Sequence, residues 1–463
     1  MAMDSNEERR RYRRTATIVS SALLVLGTAC TIPLTPLPEA RPLGRDLEPL
    51  ASARTRPEPA ATPFVEPEGD LALRTALSAA LRNSPRLRGF DWRVRADEAR
   101  ALQAGLLPNP TLVVEGENFA GSGAFDAYDA AETTVFLGQL VQLGGKRVKR
   151  RRVAMLDREL SGWDYEAARL DVLTETTQRF VAALAARARL ELARETLRVA
   201  RESLAATEAR VRAGAASSIE EARSAVTVET LEIELARREI EFEASRSTLA
   251  SSWDGEARFV GLSGRLAEVS ALPTLARISE ALADNPDLAR WASEVSKREA
   301  ALELARANAI PDVTAGLGVR HFNDSNDSAL VFGVEIPLPV FDRNQGGRAA
   351  AHAEARSVAA MARARRLSLS RSLIASHSTA EAAFQNARAF EERVLPQARA
   401  AYESTRDAYR RGLFGVVDVL GSQRTLFEAR TEYVNTLERY HMARAELERL
   451  SGTPLDQLLD GGN

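Results

Sequence analysis

A single cysteine, Cys30, in 463 residues rules out any disulfide within the chain. Histidine is nearly as scarce. His321, His352, His377 and His441 stand far apart, with no His-Glu-x-x-His or paired-cysteine spacing, so no zinc site is expected. No phosphate-cradling glycine loop occurs. The residues point to a protein that is not an enzyme, with no catalytic group, no cofactor and no metal site of its own. Asn323-Asp-Ser-Asn-Asp-Ser328 is acidic, but it lacks the glycine and final glutamate of a calcium loop and reads as a solvated outer loop. The net charge of −2 gives no nucleic-acid footprint. Nor does any stretch approach the ~20 apolar residues of a membrane helix. If the chain crosses a membrane, it does so with strands.

What is present is a bias toward Ala, Arg, Glu and Leu, with aromatics at only 6%, the composition of long helices and coiled coils. Arg and Glu alternate along these stretches, as on a solvated helix face. The N-terminus differs. Arg9-Arg-Arg-Tyr-Arg-Arg14 precedes a short apolar run ending Leu26-Gly-Thr-Ala-Cys30, which reads as a secretory signal over residues 1–29. That ending resembles a bacterial lipoprotein box, with Cys30 as the lipidated residue; an ordinary signal peptide cut nearby is the alternative. Residues 30–69 hold nine of the nineteen prolines and read as a tether.

An internal repeat follows. Leu81-Arg-Asn-Ser-Pro-Arg-Leu87 matches Leu282-Ala-Asp-Asn-Pro-Asp-Leu288, and the same offset pairs Val94 with Val295, Glu98 with Glu299 and Pro110 with Pro311. Duplication divides the chain into a first repeat over 70–270, a second over 271–455 and a tail over 456–463. Each repeat contains helices, an Asn/Ser-Pro break and then a proline-led strand hairpin, over 111–141 and 312–337. Leu112 and Val114 alternate with Val113, Glu115 and Glu117. Val313, Ala315, Leu317 and Val319 alternate with Thr314, Gly316, Gly318 and Arg320, and Leu330, Phe332, Val334 and Ile336 share one face. The segment 133–141 is apolar on both faces. Four such strands, apolar outward, carry the signature of a transmembrane barrel. Four cannot close alone, so closure demands oligomerisation, with eight strands from two chains or twelve from three.

Long helical hairpins follow, over 146–251 and 344–451. Residues 146–212 contain no proline and carry two heptad seams that meet at a stutter, a helix of about 100 Å. Pro396 predicts a kink or break in the second outward helix. The reversal turns match each other: Val211-Arg-Ala-Gly214 aligns with Tyr409-Arg-Arg-Gly412, and Glu220 with Asp418. Gly214 suits a helix C-cap, and Ser217 or Ser218 an N-cap. On the residues alone these turns are plain helix-hairpin chemistry or a docking tip for a partner. The strand-to-helix junctions are Phe136–Arg147 and Val331–Arg348. Pro337 and Pro339 end the ladder in the second. Phe341, Asp342, Arg343 and Asn344 have no counterpart in the first junction, and their simplest role is packing a crowded turn.

This duplicated order resembles the TolC-like outer membrane efflux proteins over roughly residues 70–455. Pro337-Leu-Pro-Val-Phe-Asp-Arg-Asn-Gln-Gly346 and Gln142-Leu-Gly-Gly-Lys-Arg147 resemble the heavy-metal (CzcC-like) branch. The resemblance implies a mainly helical fold with a β membrane part: antiparallel coiled-coil hairpins in two repeats, and four strands per chain in a twelve-stranded barrel. It implies a homotrimer in the outer membrane lipids, with a long periplasmic tunnel meeting a membrane fusion (adaptor) protein and an inner-membrane RND-type pump. It places docking at Val211, Gly214, Ser218, Glu220, Tyr409, Gly412 and Asp418. A gate is expected nearby, with Arg410, Arg411 and Asp418 as candidates. The function implied is passive export, with heavy-metal cations as cargo. The same fold serving drugs or a polypeptide, and a periplasmic coiled-coil scaffold without a pore, are the alternatives.

Overall fold

The computed structural model describes residues 38–39, 41–43, 45 and 64–460. The signal segment, Cys30 and most of the tether lie outside the described residues. The first half runs β1 (Asp70–Ala72), α1 (Leu73–Asn83), α2 (Pro85–Ala104), β2 (Thr111–Glu117), β3 (Glu132–Val141), α3 (Lys146–Arg212) and α4 (Ser218–Ala250). The second half runs β4 (Gly261–Ser263), α5 (Leu275–Ala281), α6 (Pro286–Ala307), β5 (Val313–Phe322), β6 (Asp327–Glu335), α7 (Gln345–Ala389), α8 (Leu395–Arg410) and α9 (Val416–Ser451). A short helix, α10 (Leu455–Asp460), follows. The expected C-terminal tail is therefore mostly a docked helix, and Leu455 is buried against Ile278, Leu282, Leu447 and Leu450.

The helix boundaries follow from local chemistry. Pro85 and Pro286 sit in the first turns of α2 and α6, where a missing N–H costs nothing. Asn285 caps α6 by accepting from the amide of Asp287 at 2.8 Å, and its carboxamide donates to the carbonyls of Arg449 and Leu450. The Asn-Pro break thus stitches α6 to the end of α9. The proline-free stretch 146–212 is one unbroken helix. It is the central pole, packed by α1, α2, α4, α6 and α9. Its middle, where several helices converge, buries small residues such as Gly162, Ala168, Ala183 and Ala185 beside Leu170 and Phe180.

Between α7 and α8 the chain forms one wide turn, Phe390–Val394, in which the amide of Leu395 donates to the carbonyl of Phe390 five residues back. Pro396 is the cause. It offers no N–H to residue 392, and its ring crowds that carbonyl, so the helix widens just before it. The sequence predicts a kink or break at this place, and a π-turn is the form it takes.

Near the level where the helix hairpins meet the shorter helices, ion pairs join five elements. Asp171 on α3 takes Arg86 of α2 and Arg449 of α9, each at 2.6 Å; Asp287 on α6 takes Arg365 of α7 at 3.0 Å and Arg449 at 3.3 Å. Burial alone would lower the pKa of Arg449, but Asp171 and Asp287 raise it and fix the charge. Parts of the tether dock close by. Arg169 donates to the carbonyl of Leu43, and the amide of Leu43 donates to that of Gly452. A two-stranded parallel pair, β1 with β4, is an addition that the sequence does not reveal.

Candidate functional site

Strands β2, β3, β5 and β6 form one antiparallel sheet in that order, so the two hairpins lie side by side through β3 and β5. The register sorts the side chains cleanly. Leu112, Leu137, Leu317 and Phe332 make one cross-strand ladder, and Val114, Val135, Val319 and Leu330 make the next. All eight are exposed; Leu330 is 87% accessible. No Asp, Glu, Lys or Arg of these strands falls on this face. The opposite face carries Glu115, Glu117, Glu132, Asp327, Glu335 and Arg320. Arg320 donates to Glu132 at 2.9 Å and to Thr134 at 2.9 Å, and pairs with Glu117 at 3.1 Å. Five carboxylates thus face one guanidinium. The expected alternation of apolar and polar faces is present, and among the described residues no strand lies beside edges β2 and β6.

The loops beyond the strands are less plain than expected. Asn323 ties them together, its amide donating to the carbonyl of Ala131 and its side chain to that of Tyr128. Asp327 and Ser328 belong to β6 rather than to a solvated loop. Phe119 stacks on Tyr128, and Phe125 is exposed beside them, which gives the first loop an aromatic tip.

At the junctions, two left-handed residues start the long helices: Gly145 before α3 and Asn344 before α7. Asn344 therefore has a structural counterpart, which the sequence comparison misses because the two residues share only a backbone conformation. The Asn344 side chain donates to the carbonyl of Ala305 on α6 at 2.8 Å, and Asp342 accepts from the Asn344 amide at 2.8 Å. Arg343 donates to the carbonyl of Pro339. These bonds form a tight turn, which Phe341 joins only through its carbonyl, accepting from the Gln345 side chain at 3.1 Å. It is 91% exposed, so packing a crowded turn does not describe Phe341 within the chain. Pro337 and Pro339 are exposed and lie past the end of β6, as their missing N–H requires. The first junction uses a clamp that sequence reasoning missed. Asp312 accepts from Lys146 at 2.7 Å and from the amide of Leu143 at 3.0 Å.

At the far end, the two reversal turns have the same design. Ala215 donates back to Arg210 and Gly214 to Val211; Leu413 donates back to Ala408 and Gly412 to Tyr409. Gly214 and Gly412 have φ of +72° and +77°, the left-handed cap this closure uses. Ser217, not Ser218, caps α4 by accepting from Glu220. Asp418 accepts from the Gly415 amide at 3.0 Å.

These bonds correct two expectations. Tyr409 is only 5% exposed and packs with Val416 and Val419, its hydroxyl 3.4 Å from that of Thr207. Arg210 lies over its ring and donates to its carbonyl, tying one turn to the other. Tyr409 is thus the core of the tip rather than a contact surface. Arg410 and Arg411 do not reach Asp418 within the chain, because both turn back toward Asp407 while Asp418 caps α9. What the tip does expose is Leu413, Phe414, Val417 and Ile219, with Leu413 at 71%. Val211 is half-buried, whereas Gly214, Ser218 and Gly412 are exposed.

Along α4, Ile219, Val226, Ile233 and Ile240 are all exposed at seven-residue spacing. This is a heptad stripe with no partner helix among the described residues. Beside it a groove of about 710 Å³ runs between α4 and α9 over α3, lined by Leu192, Val226, Leu231, Leu420 and Phe427. At its lip, burial would raise the Glu234 carboxyl, but Arg237 and Arg238 outweigh it and hold the group below the usual range. Among the described residues, no group of three or more His, Cys, Asp or Glu is placed to hold a metal ion, and no helix is long and apolar enough to cross a membrane.

Comparison with known proteins agrees with this arrangement. The chain is 29% identical over 388 residues to the cobalt-zinc-cadmium resistance protein CzcC of Cupriavidus metallidurans, covering 84% of this chain and 91% of that one. A crystal structure of a membrane protein from Pseudomonas aeruginosa superposes with a TM-score of 0.73 at 20% identity, covering 87% of this chain and 97% of that one. A crystal structure of CusC superposes with a TM-score of 0.71 at 18% identity, covering 87% and 99%. Residues 76–255 and 277–453, most of both halves, match the outer membrane efflux protein family, and the chain belongs to that family.

Proposed function

We propose that three copies of this outer membrane efflux protein close one twelve-stranded barrel and export heavy-metal cations through it. The observation that carries the barrel is the sheet. It has an exposed apolar face without Asp, Glu, Lys or Arg, and two edges that are unpaired among the described residues. In lipid, unpaired strand edges leave backbone groups without partners, so such a sheet needs further copies at β2 and β6. Three copies, rather than two, follows the family resemblance. The α4 stripe is a second reason for association, since it offers a neighbouring chain a heptad seam.

With the apolar face toward lipid, the five carboxylates and Arg320 line the bore, an excess of negative charge that favours cations. The similarity to CzcC favours the same cargo class. The helical hairpins then form the periplasmic tunnel, and the tips meet an adaptor protein and, with it, an inner-membrane RND pump. Leu413, Phe414, Val417 and Ile219 supply the apolar contact, with Gly214, Ser218, Glu220, Gly412 and Asp418 shaping the turns beneath. Arg410 and Arg411, exposed at the tip, then pair across neighbouring chains and gate the entrance. Cys30 carries the lipid anchor.

A strain deleted for the gene should become sensitive to cobalt, zinc or cadmium and regain tolerance with the intact chain. Unchanged tolerance to all three would exclude the proposed cargo while leaving the channel in place.

A further inference from the structure

The register puts two phenylalanines on the polar face of the sheet: Phe322 at the end of β5 and Phe136 in the middle of β3, the latter in an unusual position. Side chains on a strand stand roughly perpendicular to the sheet. Phe136, on β3, instead lies across β5 toward β6. A Cβ built at Gly316 would fall 2.5 Å from its ring tip and one at Gly333 3.2 Å from the same atom; one at Gly318 would fall 3.1 Å from its Cβ, and one at Gly138 3.4 Å from the ring edge. None of these four glycines has positive φ, so their backbone does not call for glycine. Glycine inside a strand costs stability through lost entropy and lost packing. At 316 and 318 a neighbouring carbonyl, at 2.5 Å, also demands close approach. At Gly333 nothing but the Phe136 ring stands in the way. The glycines make a bed in which the ring lies flat.

We propose that Phe136 sets the bore of the barrel at this level and that its glycine bed keeps the bore open by holding the ring against the wall. The inference rests on the barrel reading above, which turns this face toward the lumen. In a closed trimer three rings lie at one height. A methyl group at 333 would shift each ring by a few tenths of an ångström, and the two methyl groups of a valine there would lift it off the sheet into the lumen.

Single-channel recording on the purified full-length protein tests this. Gly333→Val should lower the conductance, on the order of twofold, and adding Phe136→Ala to it should return at least the parent value. Phe136→Cys should give a current that falls stepwise when a water-soluble thiosulfonate reagent is added, whereas Leu137→Cys, on the other face, should not respond. If Gly333→Val fails to assemble, this pair of cysteine substitutions decides the matter. A conducting parent whose Gly333→Val variant keeps full conductance, or whose Phe136→Cys variant never reacts, overturns the inference alone. A correctly assembled parent that conducts no current sinks the barrel reading and this inference together.

Discussion

Tyr409 shows how a single buried side chain decides what a tip can do. Its ring is enclosed by Val416 and Val419 and covered by Arg210. Truncating a buried aromatic typically costs about 3–5 kcal/mol. Tyr409→Ala should therefore loosen both turns, seen as faster hydrogen exchange at amides 408–420, whereas Leu413→Ser, at an exposed position, should leave exchange unchanged and weaken adaptor binding. The opposite pattern would return Tyr409 to the docking surface. His441 offers a second residue-scale test. Burial pushes its imidazole below the usual 6.5, Arg444 adds to the depression, and the carbonyl of Leu266 and the charge of Glu268 only partly oppose it. A depressed folded pKa means the unfolded chain binds the proton more readily, so stability present above about pH 6.5 is lost as pH falls through that range. The nearby Glu448 works the other way, since burial raises its carboxyl. A His441→Gln variant should show a flatter fall in melting temperature between neutral pH and pH 5.5; an unchanged slope would rule out His441 as the source.

At the scale of elements, what could be read in the sequence depended on length and repetition. Helix α3 was legible from end to end because its seams run without proline between a glycine pair and a glycine turn. Strands β2, β5 and β6 were legible because each alternates over enough residues to show two faces, whereas β3 is apolar on both. The β1–β4 pair, three residues each, is too short to show any period. The burial of Tyr409 depends on Thr207, from the other half of the chain, and the Asp312 clamp depends on Lys146 in the same way; no local pattern carries such contacts. The Phe136 bed required the cross-strand register, which places Gly318 opposite it and Gly333 one strand further. The wide turn before Pro396 is the most direct element-scale test. Pro396→Ala restores the missing amide and removes the ring, so the helix can close to regular α geometry. The amide at 396 should then be protected from exchange, and the phase of α8 against α9 should shift. Unchanged protection at 393–395 and an unshifted phase would place the cause of the π-turn elsewhere.

For the whole molecule, the proposed duct combines a membrane sheet, a set of long helices and a pair of tips, with association holding its copies together. The stripe Ile219, Val226, Ile233 and Ile240 is apolar and uncovered. A charge there would face a neighbouring chain. Ile233→Glu with Ile240→Glu should reduce the detergent-extracted protein from three chains to one by native mass while leaving its helix content intact. A trimer that survives this change would assign the stripe to another partner. The central claim, that the sheets close into a water-filled, cation-favouring barrel, is tested most directly by the reversal potential of the purified full-length protein in a planar bilayer under a salt gradient. The expected result is a large conductance with a reversal potential displaced toward that of the cation, reduced when Glu335→Gln and Glu115→Gln are combined. An assembled trimer that passes no current, or one that selects for anions, would contradict it.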